Sequence, residues 1–194
     1  MLRSYHTKDR VEAGLDEAGR GCLAGPVVAA AVVLPPNYQH PRLTDSKLLT
    51  AKQRDGLRLD ITRDAVAWAV AEATVEEIEE YNIEKASHLA MHRAVAALAV
   101  RPNHLLVDGN RFRPYPLVPH TCVVRGDSIF LAIAAASILA KTHRDQVMHA
   151  LDAALPAYGW ARNVGYPTAA HRAALREHGP SIHHRRTFRL TYDA

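Results

Sequence analysis

Apolar positions along the chain form short continuous runs in its first two thirds and helical spacings between and after them. Residues 11–15 read as a short strand ending at Asp16, and 26–34 is a nearly continuous apolar run closed by Pro35-Pro36. Residues 65–71, 105–107 and 121–124 are three more strand candidates, which makes five. Thr74-Val75-Glu76-Glu77 has the Thr-x-x-Glu form of a capping box, and Ile83, Ala86, Ala90 and Ala94 space an apolar face beyond Asn82. Residues 128–150 predict a further helix. Thr168 predicts the cap of a last one, ended by Gly179-Pro180. The pattern predicts an α/β layered fold on a mixed sheet, as a single domain with its core over about residues 1–150 and a helical segment over 151–194.

Composition adds exclusions. The chain has 194 residues, 48% hydrophobic and 23% charged, enough for one sizeable core and ordinary for a packed globule. The apolar run at 129–136 falls well short of the roughly 20 residues of a membrane span. The first ten residues show no signal-peptide pattern, so a cytoplasmic protein is expected. Cys22 and Cys122 are the only cysteines and form no Cys-x-x-Cys pair, which argues against a disulfide framework or a cysteine zinc site.

Charge matters once it is split. Residues 1–160 balance 18 Lys plus Arg against 18 Asp plus Glu, whereas 161–194 carry six Arg against two acids, so the whole +4 excess is C-terminal. A basic end of this kind suits a polyanion such as nucleic acid.

Three predicted strands lead into acids: Asp16-Glu17, Asp108 and, after Gly126, Asp127. In α/β sheets ligands gather at the carboxyl ends of strands. Carboxylates brought together there raise one another's pKa values and are held ionised most easily by divalent cations, with oxygen donors favouring magnesium or manganese. Two such ions suit phosphodiester hydrolysis. Position alone leaves Asp45, Asp55, Asp60 and Asp64 as competing members of the cluster.

The stretch from Gly14 to Ala30, GLDEAGRGCLAGPVVAA, resembles the signature of the type 2 ribonucleases H, the bacterial ribonuclease HII family. Asp45-Ser46-Lys47, Val107-Asp108-Gly109, Gly126-Asp127, Ala134-Ala135-Ala136-Ser137-Ile138, Arg144-Asp145, Gly165-Tyr166-Pro167-Thr168 and His184-Arg185-Arg186 extend the likeness over nearly the whole chain. The resemblance implies a ribonuclease H-like five-stranded mixed sheet with a C-terminal helical extension. It implies an endoribonuclease that cuts RNA in RNA/DNA hybrids and incises 5′ of single ribonucleotides in duplex DNA, using Mn2+ or Mg2+, and acting as a monomer. By the same likeness Asp16, Glu17, Asp108 and Asp127 match the acidic active-site and metal positions, and Gly19-Arg20-Gly21 matches the backbone element that reads the 2′-hydroxyl. Tyr166 matches the RNA-to-DNA junction sensor. Lys47, Lys141, Arg144, Arg185 and Arg186 are expected to contact substrate phosphates.

The sequence departs from the family pattern before Gly165, where Asn163-Val164 stands for a frequent His-Lys, with Arg162 the candidate substitute cation. Arg125 replaces a frequent Lys and Thr142 a frequent Val. Competing readings are a junction-resolving nuclease of the same superfold, disfavoured by the Gly-Arg-Gly and Gly-Tyr-Pro-Thr elements, and a catalytically silent hybrid-binding module, disfavoured because all four acids are present. His88 and His92 share a helix spacing but lack the Glu of a His-Glu-x-x-His zinc motif.

Overall fold

A computed structural model describes residues 2–44 and 46–190, with only the backbone of Lys47. The expected substrate contact of the Lys47 side chain, and Asp45, lie outside the described residues. Five strands form one sheet: β1 (Glu12–Ala18), β2 (Val27–Val33), β3 (Ala67–Ala73), β4 (His104–Asp108) and β5 (His120–Val123), in the order β3-β2-β1-β4-β5. β2 pairs antiparallel with β1 and β3, while β4 runs parallel to β1 and β5. The sheet is therefore mixed and five-stranded, as expected. Its parallel centre follows from chain connectivity, because β4 is reached only after a helical crossover.

Among the described residues six α-helices accompany the sheet: α1 (Ala51–Asp64), α2 (Val75–Tyr81), α3 (Ile83–Ala96), α4 (Leu131–Ala154), α5 (Trp160–Asn163) and α6 (Ala169–His178). Thr74 and Glu77 form the expected reciprocal cap of α2, Asn82 caps α3, and Thr168 caps α6. The helix α1 is the element the apolar pattern does not announce, since it buries only Leu57 and Ile61. Residues 126–128 form a separate 3-10 turn, so α4 starts at Leu131 rather than at 128.

Alternation along β2 explains the layers. Val27, Ala29, Ala31 and Val33 face one core with Ala86, Ala90 and Ala94 of α3; Val28, Ala30 and Val32 face another with Ala134, Ala135 and Ile138 of α4. Small residues bring α4 very close. A Cβ at Gly14 would collide with the backbone of Ala132, so only glycine admits the helix against β1. The C-terminal elements pack as a third cluster, in which Tyr158, Trp160 and Leu175 meet Met148 of α4 and Leu23-Ala24 of the β1–β2 loop. Among the described residues no helix is long and apolar enough to cross a membrane.

Candidate active site

Asp16 and Glu17 lie within β1 rather than after it, so they point to opposite faces of the sheet. Asp16 pairs in register with Ala30 on the α4 face, and Glu17 with Ala29 on the α3 face. Asp108 is the last residue of β4, whose Val107 pairs with Leu15 of β1, which brings Asp108 alongside Asp16. Asp127 is buried in the 3-10 turn before α4. That turn is tied to β4 by the Gly126 N–H, which donates to Asp108 Oδ1 at 2.7 Å.

Asp16 is the buried centre of the group. Its Oδ1 accepts the Glu17 N–H at 2.7 Å, and the Ser137 side chain of α4 hydrogen-bonds to it. Burial first, then the negative charges of Glu17 and Asp108, push its carboxyl well above the ordinary aspartate range despite those two bonds. Ser137 is in turn held by Ser46, Oγ to Oγ at 2.9 Å. On the other face Glu17 accepts from Arg20 Nη1 at 3.1 Å and lines a small cleft with Glu84, His88, Asp108 and Arg111.

The carboxylates fit a divalent cation by their chemistry: hard oxygen donors, one of them destabilised as an anion by burial and like charge. Among the described residues, however, no three His, Cys, Asp or Glu side chains stand ready-placed around one ion.

The Gly19-Arg20-Gly21 turn follows β1, with Cys22 N–H reaching back to the Gly19 carbonyl at 3.4 Å. Gly19 sits at φ +97°, and a Cβ there would run into the Arg144 guanidinium. Tyr166 is 41% exposed, and its hydroxyl bonds the buried Cys22 thiol, a contact that no pattern in the chain announces. Lys141 Nζ stands 5.8 Å from the centre of the Tyr166 ring and 2.7 Å from Asp145 Oδ1.

Two expected phosphate contacts are corrected. Arg144 and Arg185 are 1% and 0% exposed, and their guanidiniums donate to backbone carbonyls: Arg144 to Pro26, Val164 and Ala24, Arg185 to Gly25, Arg20 and Pro26. With three and four of their five N–H donors on carbonyls and no solvent contact, neither guanidinium is presented to a phosphate. Arg186 is exposed. The basic C-terminal surface is smaller than its arginine count, because Arg185 is inside and Arg172 donates to the Arg189 and Leu190 carbonyls.

The departures acquire reasons. Asn163 accepts the Gly165 N–H and donates to the Tyr158 carbonyl, both at 2.8 Å, so it shapes the turn into Tyr166. Val164 offers its carbonyl to Arg144 and packs with the C-terminal cluster. Arg162 is exposed beside them, and the Thr142 hydroxyl is satisfied by the Ile138 carbonyl. His88 and His92 are within hydrogen-bonding distance of the Arg111 and Arg113 carbonyls and pin the loop after β4 to α3.

A mixed sheet of this order, with acids at the carboxyl ends of its adjacent central strands β1 and β4 and a long helix laid across it, defines a ribonuclease H-type nuclease. The family model of ribonuclease HII matches residues 13–193. A ribonuclease HII of Bacteroides thetaiotaomicron is 58% identical over 193 residues, covering 100% of this chain and 96% of that protein. One from Porphyromonas gingivalis is 54% identical over 194 residues, with 100% and 96% covered. The crystal structure of the ribonuclease H2 from Pyrococcus horikoshii superposes with a TM-score of 0.76 at 24% identity, covering 92% of this chain and 94% of that one. Bst-RNase HIII, solved in complex with Mn2+, gives a TM-score of 0.64 at 19% identity over 93% of this chain and 67% of that one. The chain belongs to the ribonuclease HII family, and it is a hydrolase of the nuclease class.

Proposed function

We propose that this enzyme incises duplex DNA on the 5′ side of single embedded ribonucleotides and cuts the RNA strand of RNA/DNA hybrids, in the cytoplasm and as a monomer. One observation carries the reading. Ser137, bonded to Asp16, and Lys141, over the Tyr166 ring, are one turn apart on α4, so Asp16 and the candidate sensor meet the same side of α4 about 6 Å apart along the helix.

Asp16, Glu17, Asp108 and Asp127 would hold Mn2+ or Mg2+. Bound divalent ions supply positive charge to the scissile phosphate and lower the pKa of water. The chain supplies the remainder. Ser137 orients the Asp16 carboxylate, and the Gly126 N–H holds that of Asp108. The Gly19-Arg20-Gly21 backbone approaches the ribose where side chains would obstruct it, and Tyr166 lays its ring against the neighbouring deoxyribose with its hydroxyl toward the 2′-oxygen. Lys141 and Arg186 offer charge to flanking phosphates. Water adds in line at phosphorus and the 3′ oxygen leaves, giving a 3′-hydroxyl and a 5′-phosphate. No side chain is required as a nucleophile, and Cys22, buried with its thiol pKa raised, is unsuited to be one.

The test is a labelled DNA duplex with one ribonucleotide, incubated with magnesium, manganese or chelator and mapped to nucleotide resolution beside an all-DNA duplex and Asp16→Asn. Metal-dependent cutting immediately 5′ of the ribonucleotide, absent from both controls, is the expected result. Cutting of a long hybrid alone would overturn the single-ribonucleotide reading.

A further inference from the structure

The two buried arginines sit under the Gly19-Arg20-Gly21 turn. Together they make seven hydrogen bonds of 2.7–3.1 Å, all to backbone carbonyls. Among the described residues neither has a carboxylate within ion-pair distance. Burying two unpaired cations is costly, and a lone purpose of filling space would be met more cheaply by apolar side chains. What the guanidiniums achieve is direction: four carbonyls of the β1–β2 loop, those of Arg20, Ala24, Gly25 and Pro26, turn inward onto them.

In a trans peptide the N–H points opposite to the C=O. The Arg185 Nη1 bond to the Arg20 carbonyl, 3.0 Å, therefore aims the Gly21 N–H away from the protein interior. Gly21 is exposed, and nothing stands within 4 Å of the place its Cβ would occupy. The Arg20 side chain is drawn the other way, toward Glu17. Outward of the turn is thus an open backbone donor beside the acids.

We propose that Arg185 is a positioning residue for ribonucleotide recognition: by holding the Arg20 carbonyl inward it fixes the Arg20–Gly21 peptide with its N–H turned out to the sugar at the cut site. This rests on the reading of the Gly19-Arg20-Gly21 turn as the 2′-hydroxyl contact. Arg144 is the second half of the cradle, packed against Gly19 and tying the same loop to Val164 beside Tyr166. A lysine in place of Arg185 keeps a cation but has one nitrogen, which cannot span the Arg20, Gly25 and Pro26 carbonyls at once.

The experiment is a cycle between the residue and the hydroxyl. Wild type and Arg185→Lys are assayed for kcat/KM on a DNA duplex with one ribonucleotide and on the same duplex with that sugar 2′-fluoro. The expected result is that the fluoro substitution costs wild type roughly tenfold or more, the scale of one well-aligned hydrogen bond, and costs Arg185→Lys several-fold less. An equal loss in both enzymes, with a lower rate overall, would make Arg185 merely structural and overturn the proposal alone. No dependence on the hydroxyl in wild type would overturn the reading of the turn itself. If Arg185→Lys does not fold, Arg185→Ala is assayed with and without methylguanidine. Recovery of the hydroxyl dependence with the added cation supports the proposal, and absence of recovery counts against it.

Discussion

His171 and His184 face each other inside the C-terminal cluster, Nε2 to Nε2 at 3.1 Å, both essentially without solvent contact. The Ser181 N–H donates to His184 Nδ1, so the His184 proton lies on Nε2 and is given to His171. His171 keeps its own proton on Nδ1, toward the Tyr166 carbonyl at 2.9 Å, and its Nε2 also receives the Trp160 N–H. Every ring nitrogen is committed in the neutral state.

Acid should therefore loosen this cluster. Burial, with His171 and His183 adding repulsion, brings His184 down to about 4, and His171 is lowered as well. Above the ordinary histidine value of about 6.5 both folded and unfolded chains carry neutral rings and nothing is lost. As pH falls from there toward 4 only the unfolded chain takes the proton, and up to about 3 kcal/mol of stability disappears for His184 alone. Denaturant melts across pH 7 to 4 check it, and His184→Gln should flatten the slope.

Asp16→Asn should abolish cleavage and yet stabilise the metal-free protein. The folded carboxyl has a raised pKa, so stability is lost as pH rises through the unfolded value of 3.8, and an amide of the same shape escapes that loss. A higher Tm than wild type in chelator at pH 8, with a smaller rise on adding Mn2+ than wild type shows, is the expected outcome by thermal melting.

Gly14→Ala tests the contact that seats α4. Its methyl would need the space of the Ala132 backbone, which cannot yield as a flexible side chain does. A loss of about 3 kcal/mol in urea unfolding is expected, with a disproportionate fall in activity because Ser137 moves with the helix.

Thr50→Ala should cost about 1 kcal/mol by removing the reciprocal cap between Thr50 and Gln53 at the start of α1. The measurement is the same unfolding curve, and an unchanged midpoint would show that α1 is held by its packing alone.

Strands and most helices can be read from the chain because their signals are local: continuous burial in β2, caps at Thr74 and Thr168, a 24-residue apolar-faced α4. The helix α1 hides because its side chains are mostly polar, although Thr50-x-x-Gln53 does mark its start. At the site, the acids are legible by resemblance and by their place at predicted strand ends. Ser137 carries a fainter signal, a lone hydroxyl in an apolar helical run. The fate of Arg144 and Arg185 is not legible, since whether an arginine meets a phosphate or a carbonyl depends on what the fold packs around it more than 100 residues away in sequence.

The single helix α4 carries Ser137, Lys141, Arg144 and Met148 on one side, from the carboxylates to the C-terminal cluster. It works as a ruler. Each residue added inside it would advance the remainder of the rod by about 1.5 Å and swing it by about 100°, so one residue inserted between Ser137 and Lys141 would take Lys141 away from the Tyr166 ring while leaving Ser137 at Asp16. The spacing between cutting and sensing in this enzyme can thus change only in whole helical turns, and tolerance to insertion should be far lower here than in the loops at either end of the rod.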